Sequence, residues 1–197
     1  MKKKMNKERE SRSFDMLEAK EEENKYIVDG YITTWDPYPI NYRGIECFEK
    51  IDPHAFDNCD FSDTCFRVDH KGTVYARTRN NTILDMHPDD HGLHCTVDLG
   101  KTAASREKFE EIKSGMYDKM SQMMLVADDN YDEKTNTRNI TNISKLFDIS
   151  IVAFPANDGT SIEARSAFWD GVISKREEAE RLQNEKEKLK LRIELMR

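Results

Sequence analysis

The segment LFDISIVAFPAN, residues 146–157, places an acid at the start of an apolar run. Ile149, Ile151, Val152 and Phe154 make this segment a predicted strand that is buried on both faces. A carboxylate in such a strand is costly unless it is paired. Asp148 therefore constrains the fold, because the chain must bring a partner to it.

The charge distribution divides the chain of 197 residues into a middle and two ends. Charged residues make up 35% of the sequence, against roughly 25% in a typical globular domain. The excess lies at the two ends, each of which has a net charge of +1, whereas the residues between them have −9. We expect no nucleic-acid binding, because phosphate recognition needs clustered Lys and Arg.

The N-terminus MKKKMNKERE has the basic start of a signal peptide but no apolar stretch after it. No window approaches the roughly 18 apolar residues of a membrane span. We therefore expect a cytosolic protein that does not bind membranes. In that compartment the four cysteines, Cys47, Cys59, Cys65 and Cys95, are expected to be reduced thiols.

Three parts follow along the chain. Residues 1–25 are polar and charged and are predicted to be a flexible arm or a weak helix. Residues 26–168 are predicted to carry the fold, and residues 169–197 to form a charged helical tail.

The middle part contains many short strand candidates, among them YIVDGYITTW, CFRVDH, GLHCTVDL and KMSQMMLVA. One amphipathic helix is predicted from Thr102 to Lys113, with Gly115 placed as a C-terminal cap. This pattern predicts a mainly β, α+β domain with a compact, curved sheet or small barrel.

The tail has apolar residues on the a and d positions of a heptad frame, interrupted by Lys175 and Lys186. They are Val172, Ala179, Leu182, Leu189, Ile193 and Met196. We expect a long solvated helix that can self-associate as a short coiled coil.

Ser121, His70 and Asp148 are candidates for chemistry, and the first two also have an ordinary structural interpretation. Ser121 shares a predicted strand face with Met123, and a strand serine usually bonds a neighbouring carbonyl. His70 is placed at the end of CFRVDH, where a histidine is usually structural or solvated. A carboxylate beside a histidine beside a serine is, however, the arrangement of an activated nucleophile.

A metal site is the rival interpretation, because His87, His91, His94 and Cys95 lie close in sequence and Cys59 and Cys65 could be added. The spacings fit no strong template, and His94 and Cys95 would point to opposite faces of a strand. The chain also has no glycine-rich phosphate loop and no dinucleotide motif. We therefore expect no metal and no cofactor.

The order of these segments resembles the prohead maturation serine proteases of tailed bacteriophages, which are similar to herpesvirus assemblin. The resemblance covers about residues 26–166. It runs through DGYITTWD, ECFEKIDPHAFDN, the histidine of CFRVDH, HGLHCTVDL, the amphipathic helix, MS at residues 120 and 121, and LFDISIVAFPAN.

The resemblance implies a small, closed or partly closed β-barrel ringed by helices, and it implies roles for three residues. Ser121 would be the nucleophile, His70 the general base, and Asp148 the acid that orients the histidine. The chain departs from the family in having QMM after the serine, which affects the wall of the substrate groove. The sequence does not place the oxyanion hole, for which Arg138 and Arg165 are the candidates.

At the level of function, the resemblance implies an endopeptidase that cleaves scaffold protein, major capsid protein and itself. It would act in the host cytoplasm, inside the assembling prohead. Two alternatives from other classes remain open: a scaffold-like structural assembly protein, and a catalytically inactive relative that is kept as an assembly factor.

Overall fold

The computed structural model describes residues 10–14, 17–22, 25–42, 45–153 and 162–195. The chain divides into two compact units, Met1–Ser161 and Ile162–Arg197. The first unit contains the strands and a short helix, and the second is one long helix.

Eleven strands and one α-helix build the described part of the first unit. The strands are β1 (Glu10–Phe14), β2 (Leu17–Glu22), β3 (Lys25–Thr34), β4 (Tyr38–Tyr42), β5 (Ile45–Ile51), β6 (Cys65–Val68), β7 (Lys71–Arg77), β8 (Ile83–Pro88), β9 (Gly92–Asp98), β10 (Lys119–Asp132) and β11 (Thr137–Val152). Helix α1 spans Ala103–Lys113, and a single 3-10 turn covers Thr78–Asn80.

The strands form two sheets. The seven-stranded sheet has the order β1-β10-β11-β5-β4, with β6 paired to β11 and β7 paired to β6. The four-stranded sheet has the order β2-β3-β9-β8. The prediction of a mainly β fold is confirmed. A closed barrel is not found among the strands that the structure describes.

The prediction of a flexible arm or weak helix over residues 1–25 is wrong for β1 and β2, while residues 1–9 lie outside the described residues. Strand β2 pairs with β3 along its whole length. Leu17 and Ala19 pack against the core, whereas Glu18 and Lys20 are exposed. The high charge content concealed this two-residue alternation, which is the signature of a half-buried strand.

The hydrophobic core takes side chains from both sheets. Strand β9 contributes Leu93, Cys95 and Val97, and β10 contributes Met120 and Met124. Because side chains alternate along a strand, Ser121 and Met123 of β10 project to the opposite face from Met120 and Met124. The predicted placement of Ser121 on the strand face opposite Met120 and Met124 agrees with this arrangement.

Helix α1 forms where the sequence predicts it. The Thr102 side chain caps its first turn by accepting a hydrogen bond from the Ser105 backbone N–H. Phe109 and Ile112 are buried, and Gly115 follows the helix with a left-handed φ of 80°.

The second unit is helix α2, which spans Ile162–Leu195 and begins before the predicted tail at residue 169. Leu182, Leu189 and Ile193 of the predicted heptad stripe are exposed, and Met196 lies outside the described residues. No helix in the described ranges is long and apolar enough to cross a membrane.

A buried ion network holds β5 against the β10–β11 hairpin. Arg138 is 1% exposed and donates to Glu49 Oε2 at 3.0 Å and to Asp129 Oδ2 at 2.6 Å. Arg138 lies near the start of β11, whereas Ser150, which pairs with Ser121, lies near its end. The prediction of Arg138 as an oxyanion-hole candidate is therefore wrong. Arg138 lies near the opposite end of β11 from Ser150, and its charge is paired with Glu49 and Asp129. The side chain of Arg165 lies outside the described residues.

Replacing Arg138 with Ala should lower the free energy of unfolding by about 3–5 kcal/mol, because it leaves the buried Glu49 carboxylate without its cation. The exposed Arg79, 3.4 Å from Asp63, is a matched control, and its Ala variant should change stability by less than about 1 kcal/mol. Urea unfolding followed by circular dichroism measures both. Equal losses in the two variants would contradict a role for burial.

Candidate active site

Two neighbouring strands place a serine and an acid on one face of the seven-stranded sheet. In the antiparallel pairing of β10 with β11, Ser121 faces Ser150 and Met123 faces Asp148. Directly paired residues project to the same side of a sheet. Ser121, Ser150 and Asp148 therefore share the face that points away from the core.

His70 lies in the two-residue turn between β6 and β7, where Val68 pairs with Lys71. Asp69 and His70 both have positive φ angles, 47° and 57°, as a type I′ hairpin turn requires. The prediction that His70 ends the strand CFRVDH is wrong. The strand ends at Val68, and the turn directs the imidazole to the opposite face of the sheet.

The parallel pairing of β6 with β11 brings this turn to the acid. Asp148 pairs with Cys65 and Ser150 with Arg67, so the turn after β6 lies beside the end of β11. The Asp69 backbone N–H then donates to the Ile151 carbonyl at 3.0 Å. Residues that are 78 positions apart in the sequence become neighbours in this way.

The three predicted site residues form one hydrogen-bonded chain. His70 Nδ1 lies 2.6 Å from Asp148 Oδ1, and His70 Nε2 lies 2.7 Å from Ser121 Oγ. The side chains of His70 and Asp148 are 15% and 5% exposed, and Ser121 is fully buried. An imidazole held between a hydroxyl and a buried carboxylate can accept the hydroxyl proton while the carboxylate stabilises the resulting imidazolium.

Ser150 is a site residue that the sequence analysis did not single out. Its hydroxyl donates to Asp148 Oδ1 at 2.8 Å and accepts the His70 backbone N–H at 3.2 Å. One buried side chain thus fixes both the acid and the turn that carries the base. The alternation DIS in β11 could have indicated it, since Ser150 follows Asp148 on the same strand face.

Arg67 is the second residue that sequence reasoning missed. It pairs with Ser150 in the sheet and so belongs to the same row and face as Ser121. Its Nε is buried and has no hydrogen-bond partner within the described ranges. Arg67 therefore places a positively charged side chain on the active-site face of the sheet.

A family model described as caudovirus prohead serine protease matches residues 14–172. The chain belongs to this family. The match includes every residue of the hydrogen-bonded chain and all of β2, and it begins at Phe14, the last residue of β1. No curated protein and no solved structure matches the chain at a significant level.

Two of the described thiols, Cys59 and Cys95, have raised pKa values and therefore do not compete with Ser121 as nucleophiles. Burial, reinforced by the neighbouring Asp60 carboxylate, raises the pKa of the Cys59 thiol to about 12. Burial also raises the pKa of Cys95. A thiol that stays protonated near neutral pH is a weak nucleophile.

The positive φ of His70 lowers the stability of the fold at a residue that the candidate site requires. A left-handed backbone costs an L-residue roughly 1–2 kcal/mol, and glycine avoids this cost. His70→Gly should therefore be more stable than His70→Ala by about 1 kcal/mol, with both variants inactive. Thermal unfolding of the pair measures this difference, and an equal or higher stability of the Ala variant would contradict it.

Replacing Ser150 with Ala should slow the reaction of Ser121 with a fluorophosphonate by about 10- to 100-fold, because the base and the acid both lose an anchor. Time courses of labelling measure this rate, with circular dichroism as the check of folding.

Ser144 is the matched control for Ser150, because it lies on the same strand and its hydroxyl donates to the Leu125 carbonyl at 3.2 Å. Ser144→Ala should leave the labelling rate unchanged. A Ser150→Ala variant that is labelled at the normal rate would show that the hydroxyl has no positioning role.

Proposed function

We propose that the chain is a serine endopeptidase of phage prohead maturation, with Ser121 as nucleophile, His70 as general base and Asp148 as the acid that orients the base. The observation that carries this proposal is the chain of contacts at 2.7 and 2.6 Å that links the three side chains. Membership of the prohead serine protease family supports the same reaction class.

The geometry gives each residue a step in acyl transfer. Ser121 Oγ attacks the carbonyl carbon of the scissile peptide bond while His70 Nε2 takes its proton. The imidazolium then returns that proton to the departing amine, which leaves an acyl-enzyme. Water, deprotonated by His70, hydrolyses the ester and restores the Ser121 hydroxyl.

Asp148 determines which imidazole nitrogen can act as the base. Its carboxylate accepts a hydrogen bond from the protonated Nδ1, so the lone pair of Nε2 faces Ser121. Asp148 is buried, and Ser150 holds one of its oxygens, so it cannot easily turn away. The acid therefore selects the tautomer as well as stabilising the charge.

Within the triad, solvent reaches the imidazole first, because Ser121 is fully buried and His70 is not. A peptide would approach Ser121 from the side of the β6–β7 turn. On this approach it also meets the sheet row that contains Arg67.

We assign the substrates by family: scaffold protein, major capsid protein and the protease itself. The protease would act in the host cytoplasm, inside the assembling prohead. The family membership supports this assignment at the level of capsid maturation.

Ser121→Ala and His70→Ala should each lower the rate of proteolysis by about 10⁶-fold, since either change removes the activated nucleophile. Asp148→Asn should lower it by about 10⁴-fold and leave a measurable residue, because the nucleophile and base remain but the tautomer is wrong. Cleavage of the cognate scaffold and capsid proteins, with circular dichroism as the check of folding, measures all three. Normal cleavage by folded His70→Ala would overturn the assignment.

The same experiment tests the two other function classes. An inactive relative or a scaffold-like protein would leave capsid and scaffold proteins uncut, and wild type would match Ser121→Ala in every assay. Labelling with a fluorophosphonate separates these classes without a known substrate, because only an activated serine reacts. Label that appears on wild type and not on Ser121→Ala supports the protease.

We propose that α2 delivers the protease to the forming shell by pairing with a helix of scaffold protein or of a second copy. Its exposed Leu182, Leu189 and Ile193 support this role, because an apolar stripe on a charged helix is typical of a coiled-coil surface. Residues 173–197 lie beyond the family match.

Removing residues 173–197 should leave fluorophosphonate labelling of Ser121 intact and reduce incorporation into proheads. A triple change of Leu182, Leu189 and Ile193 to Gln is the sharper variant, because it removes the apolar stripe and keeps the helix length. Quantitative immunoblotting of purified proheads gives the readout. Normal incorporation of the triple variant, or loss of labelling in the truncated protein, would count against a delivery role.

A further inference from the structure

The four-stranded sheet carries a cluster of imidazoles and carboxylates on its outer face. Cys95 of β9 points into the core, so its neighbour His94 points outward. His87 of β8 pairs directly with His94, and Asp85 lies two residues before His87 on the same face. The β8–β9 pairing thus brings Asp85, His87 and His94 together in a sheet that does not contain Ser121 or Asp148.

The spacing of this cluster suits a metal ion. Asp85, His87 and His94 each offer one ligand atom, and these three atoms lie within 4.8 Å of one another. Ligands at about 2.1 Å from a tetrahedral ion are about 3.4 Å apart, so side-chain shifts that shorten the longest separation by up to about 1.4 Å complete the site. Asp85 and His87 can make this adjustment, because their side chains are 53% and 52% exposed.

His94 supplies an independent sign of a missing partner. Its Nδ1 is buried and has no hydrogen-bond partner in the described part of the chain. A buried nitrogen without a partner costs roughly 1–3 kcal/mol, a cost that coordination or a hydrogen bond would remove. The His94 ring is held in place nevertheless, at 5.2 Å from the Tyr31 ring and 5.3 Å from the His87 ring.

The surrounding charges favour a cation. Asp85 lies in contact with His87 Nδ1, and Asp29 Oδ1 lies 3.9 Å from His94 Nε2. Thr96 donates to the same Asp29 oxygen at 2.6 Å and so fixes this second carboxylate beside the cluster. A carboxylate next to a ligating imidazole is the usual outer support of protein metal sites.

We propose that Asp85, His87 and His94 bind one divalent transition-metal ion of the class represented by Zn²⁺. A set of two imidazoles and one carboxylate favours such an ion over Ca²⁺ or Mg²⁺, because those two ions prefer oxygen ligands. The ion would link β8 to β9 and stabilise the hairpin that these two strands form. The proposal replaces the expectation of no metal. Relative to the candidates from the sequence, the ligand set gains Asp85 and loses His91 and Cys95, and Cys95 points to the other face of the sheet.

The test measures Zn²⁺ binding to the full chain by isothermal titration calorimetry. We expect saturable binding at one ion per chain, weakened at least about tenfold in His87→Ala and in His94→Ala. Zn²⁺ should also raise the melting temperature of wild type and not of these variants, since an ion that binds only the folded state stabilises it. His87→Ala keeps the test valid should His94→Ala fail to fold, because His87 is half exposed.

His54 provides the matched control. It is exposed, and its Nδ1 lies 3.2 Å from Asp57 Oδ2, so it is also a histidine paired with an acid. His54 is not part of the described metal-ligating group, and His54→Ala should bind Zn²⁺ as wild type does.

Co²⁺ distinguishes the proposed ligands from thiols, because thiolate ligands add a strong charge-transfer absorption that imidazole and carboxylate do not. The Co²⁺ complex should lack that absorption. Chelation should lower the melting temperature and leave fluorophosphonate labelling of Ser121 unchanged, because the ion is not part of the triad. Absence of saturable Zn²⁺ binding, binding that persists in both histidine variants, or a thiolate spectrum would overturn the proposal.

Discussion

Strand β11 pairs antiparallel with β10 and parallel with both β5 and β6. The two ends of β11 make different contacts. Near the start, Arg138 joins β5 to the hairpin through buried charges, and near the end, Asp148 and Ser150 receive the turn that carries His70. A shift of one residue in this register would turn Asp148 into the core and separate it from the histidine. The register of β11 is therefore the constraint on which both the fold and the site depend.

Much of this arrangement could be predicted from the sequence, because the strongest signals are local. The apolar run around Asp148 correctly indicated a buried strand, and the spacing of Phe109 and Ile112 correctly indicated α1. The cost of burying a carboxylate predicted that Asp148 has a hydrogen-bonding partner, and in the structure His70 and Ser150 are those partners. The identity of the partner came from the resemblance to a family, since no local pattern connects residues so far apart.

The sequence-based predictions that the structure corrects were wrong for physical reasons. Strand β2 was missed because an edge strand can carry many charges on its solvent face while Leu17 and Ala19 still alternate toward the core. The position of His70 was misjudged because the turn uses two non-glycine residues with positive φ, which local preference disfavours. Arg138 was misjudged because a lone arginine in a sequence gives no indication of the acids it will meet. Each failure occurs where tertiary contacts override a local preference.

The long sequence separation of the triad has a consequence for the order of events during synthesis. His70 lies 51 residues before Ser121 and 78 before Asp148, and the contact between them depends on the last strand of the sheet. A growing chain on the ribosome therefore carries its histidine and its serine long before it can align them. Parallel pairing between distant strands is also slow to form, because the intervening loop must close first. The topology therefore means that Ser121, His70 and Asp148 can adopt their hydrogen-bonded arrangement only after β11 has been synthesised.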